Sequence, residues 1–213
     1  MKNKKIKKFI LLALELSAVF LVVYLVLLPF WPVMKYNIYF KKELAGASKN
    51  VEAIKKDMEA VKSELKITSK GLPSSEYSVS PNRVIIKKIG VNAPIVESSS
   101  SEYGLSRGAW HIPKTSSPDK GGNTVITGHR FKYLPPNNLT FYLFHKLEIG
   151  DIILVIWQEK DYFYRIKEIK IVHDTDLSIL NPTKKSTLTM FTCHPIYSAE
   201  KRLVVIGELI DDL

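Results

Sequence analysis

With one cysteine in 213 residues, this chain has no intramolecular disulfide to form, and Cys193 is left with the chemistry of a free thiol. Cys193 ends the apolar, β-type run Thr189-Met190-Phe191-Thr192-Cys193, and Arg202 follows nine positions later in Lys201-Arg202-Leu203-Val204-Val205. A free cysteine is often just a small buried hydrophobe. At the end of a strand, with a cation close behind, it is suited to nucleophilic attack instead. An unperturbed thiol, with a pKa of about 8.5, holds little thiolate at neutral pH, so this chemistry needs a base or a cation nearby.

Five histidines could serve as the base. His129 ends the apolar run Asn123-Thr124-Val125-Ile126-Thr127-Gly128-His129, where a Gly-His pair projects the imidazole as the chain leaves a sheet. His194 adjoins Cys193, and neighbouring side chains on a strand point to opposite faces. Spacing therefore favours His129 over His194. His111, His145 and His173 read as structural or surface residues. No pair of these side chains has zinc-site spacing, so neither a metal nor any other cofactor is expected.

A scaffold must bring these residues together. From about residue 77 the texture is one of short β-type runs bounded by turn residues, and it predicts strands near Arg83 to Ile89, Asn92 to Val96, Thr124 to His129, Asp151 to Trp157, Tyr162 to Val172, Thr187 to Cys193 and Arg202 to Ile210. Phe141 to Leu147 reads as a short helix, and Ser98 to Ser101 as a low-complexity tract. Seven or so strands with little helix predict a mainly β fold, a closed or nearly closed barrel of about seven to eight strands.

The N-terminus predicts where that barrel works. Five lysines among residues 1–8 form a basic tail, and residues 9–34 are apolar for longer than the roughly 20 residues a bilayer requires. No small-x-small cleavage site follows, so the segment reads as an uncleaved signal anchor rather than a removed leader. Lysines before it predict a cytoplasmic N-terminus and an extracytoplasmic domain, with Trp31 and Tyr36 at the outer interface. Residues 35–70 read as an amphipathic helical stalk. Its seam of Leu44, Ala47, Val51, Ile54, Met58, Val61 and Leu65 suits either a weak homodimer through residues 44–65 or a single helix lying on the membrane or its own domain. Residues 71–80 form a linker, and 81–213 the β-domain. The net charge of +10 is concentrated before residue 71, where 14 lysines face 6 acidic residues, so the globular part is nearly neutral and a nucleic-acid partner is excluded.

These motifs, in this order, resemble those of the sortases, membrane-anchored cysteine transpeptidases of bacterial surfaces. Thr189-Met190-Phe191-Thr192-Cys193 resembles the family's Thr-Leu-x-Thr-Cys signature, with Met190 as a volume-conserving departure. Further matches are Ile86-Lys87-Lys88-Ile89-Gly90-Val91-Asn92-Ala93-Pro94-Ile95, Gly108-Ala109-Trp110-His111-Ile112-Pro113, Gly128-His129-Arg130 and Leu147-Glu148-Ile149-Gly150-Asp151. Thr192-Cys193-His194-Pro195 and the short connection to Arg202 are closest to classes D and E.

The resemblance implies a sortase-type barrel in which Cys193, His129 and Arg202 are catalytic and Thr192 lines the substrate pocket. It further implies cleavage of an LPXTG-like sorting signal through a Cys thioacyl intermediate, resolved by a cell-surface amine from a peptidoglycan precursor or a pilin lysine. Two alternatives stand beside it, a membrane-tethered envelope scaffold and a sortase-fold hydrolase. An L,D-type transpeptidase would need a Ser-His-Gly-Cys type motif, which is absent.

Overall fold

A computed structural model describes residues 2–40, 52, 56, 82–132 and 134–210. Eight strands close into a barrel in the order β1-β2-β3-β4-β7-β8-β6-β5. They are β1 (Arg83–Ile86), β2 (Val91–Glu97), β3 (Ala109–His111), β4 (Asn123–Thr127), β5 (Ile152–Trp157), β6 (Lys160–His173), β7 (Thr187–His194) and β8 (Lys201–Leu209). Neighbours are antiparallel except β2 with β3 and β4 with β7, which run parallel.

Alternation selects the inward face. In β7 and β8, Leu188, Met190, Leu203 and Val205 join the buried core with Val84, Ile126, Ile153 and Tyr164 from other strands. Each large apolar side chain so buried contributes about 1.5–3 kcal/mol relative to exposure. The run Ile152–Trp157 does not alternate because both of its faces are covered. Its other face, with Ile85 and Phe163, forms a second apolar cluster outside the barrel. Closure depends on β6, fourteen residues long, whose first part pairs with β5 and whose remainder pairs with β8. A register shift between Ile166 and Glu168 lets this strand bend from one partner to the other.

Several expected boundaries move. The first strand stops at Ile86, and residues Lys87–Ile89 form a 3-10 turn closed by Gly90 at a φ of 67°. The strand read as reaching His129 ends at Thr127, so His129 stands on the loop beyond it. Phe141 to Leu147 holds only a 3-10 turn, Phe144–Lys146, fastened by stacking of Phe141 on Phe144 at 5.2 Å. The serine tract leads into a short helix, α3 (Ser101–Arg107), and the Ser100 hydroxyl accepts a hydrogen bond from the Tyr103 amide as its N-cap. β3 was not anticipated, being three residues long and held by its neighbours β2 and β4 rather than by its own pattern.

At the N-terminus, α1 (Lys2–Leu27) continues through a 3-10 turn, α2 (Trp31–Lys35) and a π-helical turn to Phe40. Ile6–Ile38 is long and apolar enough to cross a membrane. Its end touches the barrel: the Tyr142 hydroxyl donates to Pro29 O at 3.1 Å, and Val33 packs on the core. Tyr36, expected at the lipid interface, is buried against the domain, whereas Trp31 is exposed. Most of the stalk, the 44–65 seam and the linker lie outside the described residues.

Candidate active site

Two strand pairings assemble the site. In the β7–β8 ladder Cys193 is directly opposite Arg202, and their shared side of the sheet brings Nη1 within 3.9 Å of the half-buried sulfur. The same Nη1 donates to Ala199 O at 2.6 Å and Lys201 O at 3.0 Å, so the carbonyls of the connecting loop hold the guanidinium at the rim.

The parallel β4–β7 pair supplies the histidine. Its register sets Thr127 against Phe191, and His129 follows on the loop two residues beyond β4, as Cys193 follows Phe191 two residues on in β7. That register is locked at its start, where the Thr189 hydroxyl donates to Asn123 Oδ1 at 2.7 Å. Asn123 Nδ2 in turn donates to Ile179 O and Asn181 O. At the far end the Thr127 hydroxyl donates to Phe191 O, and the Thr192 hydroxyl to Gly128 O at 2.8 Å.

The turn carrying His129 is tightly held. The Phe141 amide donates to His129 O at 2.8 Å, and a Cβ placed on Gly128 would lie 2.9 Å from the Phe141 ring. Only glycine allows this approach. Burial, and to a smaller degree Lys132, pushes the His129 imidazole below its ordinary range, favouring the neutral form at neutral pH. A neutral imidazole accepts a proton readily, and its conjugate acid donates one readily.

Thr192 is 1 % exposed and its hydroxyl is committed to Gly128, so it ties the cysteine's strand to the histidine's turn from beneath. His194 is the last residue of β7, and alternation along the strand directs its side chain to the face opposite that of Cys193. Its Nδ1 is buried without a partner among the described residues, and its ring lines a cavity of about 530 Å³ with Arg130, His145 and the loop 195–198. His111 is structural, with Nε2 2.8 Å from Ser116 O and its ring edge-on to Trp157. His173 is an exposed residue beside Asp174. No cluster of three or more metal-type ligands occurs among the described residues.

The barrel and this arrangement can be set against known proteins. The sortase-domain family model matches residues 84–210, more than half of the chain. The chain belongs to the sortase family, whose members are cysteine transpeptidases. It is 32 % identical over 142 residues to sortase SrtE1 of Streptomyces coelicolor, covering 60 % of this chain and 39 % of that protein. Against sortase D of Bacillus subtilis it is 30 % identical over 129 residues, 59 % of this chain and 61 % of the relative. The chain thus matches less than two thirds of either relative's length. The crystal structure of sortase E1 from Streptomyces coelicolor with a tripeptide in the active site superposes with a TM-score of 0.55 at 28 % identity, covering 62 % of this chain and 88 % of that one.

Two features of this sortase site escaped the sequence. Arg130 is 2 % exposed, a burial that its place beside His129 does not announce. His145, read as structural or surface, reaches back to it through Nδ1. The one available signal was the sequence Gly-His-Arg itself, with no acidic residue near enough in sequence to pair with the arginine.

Proposed function

We propose that this sortase cleaves an LPXTG-like sorting signal and transfers the acyl part to a cell-surface amine. What supports this reading is Arg202, 3.9 Å from the Cys193 sulfur across the β7–β8 ladder, together with the Thr192–Gly128 hydrogen bond that ties the turn carrying His129 to the cysteine's strand. Neutral His129 takes the proton of the Cys193 thiol, the resulting thiolate attacks the carbonyl carbon of the Thr-Gly bond, and Arg202 donates to the oxyanion and to substrate backbone through its planar fork. As the C–N bond breaks, the imidazolium of His129 gives its proton to the departing glycine amine, leaving a thioester on Cys193. The incoming amine attacks that thioester, His129 takes up the amine's proton, and the C–S bond breaks to release the new amide and regenerate the thiolate. Thr192 serves the substrate pocket from below, by setting the height of Gly128 and so of His129. A scaffold gives these three residues no purpose.

The tripeptide bound in the active site of the Streptomyces sortase supports a peptide substrate. For the acceptor, the chemistry requires only an uncharged primary amine, as in a peptidoglycan precursor or a pilin lysine. Residues 9–34 anchor the chain with its lysines inside and the domain outside, and protease added to intact protoplasts should remove that domain; complete protection would overturn this topology. The test of the activity itself uses the full-length protein in detergent with sorting-signal peptides and no added amine. Mass spectrometry should find an acyl adduct on Cys193, absent from Cys193→Ala and lost on adding an amine, with transpeptidation product in its place. If no adduct forms across a panel of such peptides while the protein is folded, the proposal fails.

A further inference from the structure

Beneath the proposed site lies a cation that the chemistry above does not use. Arg130 is almost wholly buried, and no carboxylate pairs with it among the described residues. Its donors go to three uncharged acceptors. Nε donates to Tyr142 O at 3.0 Å, Nη1 to Cys193 O at 3.3 Å and Nη2 to His145 Nδ1 at 3.0 Å. Burying a guanidinium without a counter-charge is costly, and packing alone would be served better by an apolar side chain of similar volume. One of the three acceptors belongs to the cysteine itself, and Arg130 directly follows the histidine in sequence. Arg130 therefore bridges the residues at the centre of the site.

We propose that Arg130 is a positioning residue of the active centre, which fastens the end of the cysteine's strand to the histidine's turn and sets a fixed positive charge beneath the thiolate. Arg202 stands at the rim, half-buried, where solvent and salt weaken its field. Arg130 lies below in a medium of lower dielectric, where the same charge acts more strongly. Burial lowers its pKa to about 10, which leaves it charged at neutral pH, and the negative charge of Cys193 pulls in the opposite direction. His145, held to about 4 by burial and by Arg130 itself, remains a neutral acceptor for Nη2. The other ionisable groups around the centre are Arg202 and Lys201 from β8, His129 and Lys132 from the turn after β4, Tyr142 and Lys146 from the following segment, His194 from β7 and Tyr197 from the loop after it. All of these are retained in the variants below.

The inference rests on Cys193 being the nucleophile, but its test needs no sorting signal, so the two readings fail separately. Full-length protein in detergent is treated with iodoacetamide, and alkylation of its single cysteine is followed by intact mass, with circular dichroism as the check on folding. Arg130→Met should alkylate about ten-fold more slowly than the parent at pH 7, because the rate follows the thiolate fraction, and the gap should close by about pH 9. Arg130→Lys, which keeps the charge without the fork, should stay within about three-fold of the parent. A rate for Arg130→Met equal to the parent's, or a deficit of the same size at both pH values, overturns the charge role. If Arg130→Met does not fold, His145→Glu decides. That residue is open to solvent on one side while its Nδ1 is covered by Arg130, and the new carboxylate would pair with Nη2 and cancel its field. Several-fold slower alkylation at pH 7 is expected, and parent-like alkylation refutes the proposal.

Discussion

Arg202 Nη1 sits 3.9 Å from Cys193 Sγ because the two residues are directly opposed in the β7–β8 ladder, and two loop carbonyls hold the guanidinium there. The proximity is thus a property of strand register rather than of a flexible side chain finding its partner. Arginine at this point offers a planar pair of donors, and lysine a single ammonium that the same carbonyls would draw away from the sulfur. Arg202→Ala should therefore lower turnover of a sorting peptide by about 10²- to 10³-fold, the usual loss for one oxyanion donor. Arg202→Lys should recover only part of it. Parent-like turnover in Arg202→Ala, measured with an intact fold, would remove the residue from the mechanism.

His129 and His194 can be separated in the same assay. His129 stands on a turn that Thr192 ties to the cysteine's strand, whereas His194 lines the cavity with Arg130 and His145. His129→Ala should abolish both formation of the thioester and its resolution by amine, while His194→Ala should keep a substantial fraction of both. The opposite ranking would transfer the acid/base role to His194.

Much of this was legible in the sequence for a physical reason. The barrel strands carry β-type runs bounded by turn residues, and Cys193 and Arg202 lie near strand ends with His129 two residues beyond one, where a one-dimensional pattern still marks the edge of a sheet. What was lost depends on contacts distant in sequence. β3 exists only because two neighbours pair with it. Lys88 is buried against Asp151 and Glu148 at 2.8 and 2.9 Å, closing the turn after β1 onto the start of β5, and nothing local in sequence announces that pairing. Arg130 is hidden for the same reason, since the acceptors that hold it come from residues 142, 145 and 193.

Three histidines near the site lie below the ordinary imidazole value of 6.5: His129 through burial and Lys132, His145 through burial and Arg130, down to about 4, and His194 through burial and Arg130. The unfolded chain then takes up protons at a higher pH than the folded one. Stability from this source is full above pH 6.5 and is lost as the pH falls towards the folded values. The melting temperature should accordingly drop between pH 7 and pH 5, before most carboxylates titrate. His145→Gln, whose amide oxygen can still accept from Arg130, should flatten that drop. An identical slope in the variant and the parent would show that His145 does not contribute.

Gly128 provides a test of how finely the histidine is placed. Its backbone runs so close to Phe141 that a Cβ would lie 2.9 Å from one ring carbon and 3.0 Å from the next, while its carbonyl is fixed from the other side by Thr192. An added methyl group must push either the ring, which is stacked on Phe144, or the turn that carries His129. The ring is fully buried and has little room to move, so the turn should yield. A displacement approaching 1 Å at a reacting group costs about 10²-fold in rate. Gly128→Ala should therefore lose about that much turnover while its melting temperature falls by only a few degrees and iodoacetamide still reaches Cys193 at close to the parent rate. A large drop in melting temperature with turnover per folded molecule unchanged would mean that the ring moves and the histidine does not, and that Gly128 serves packing alone.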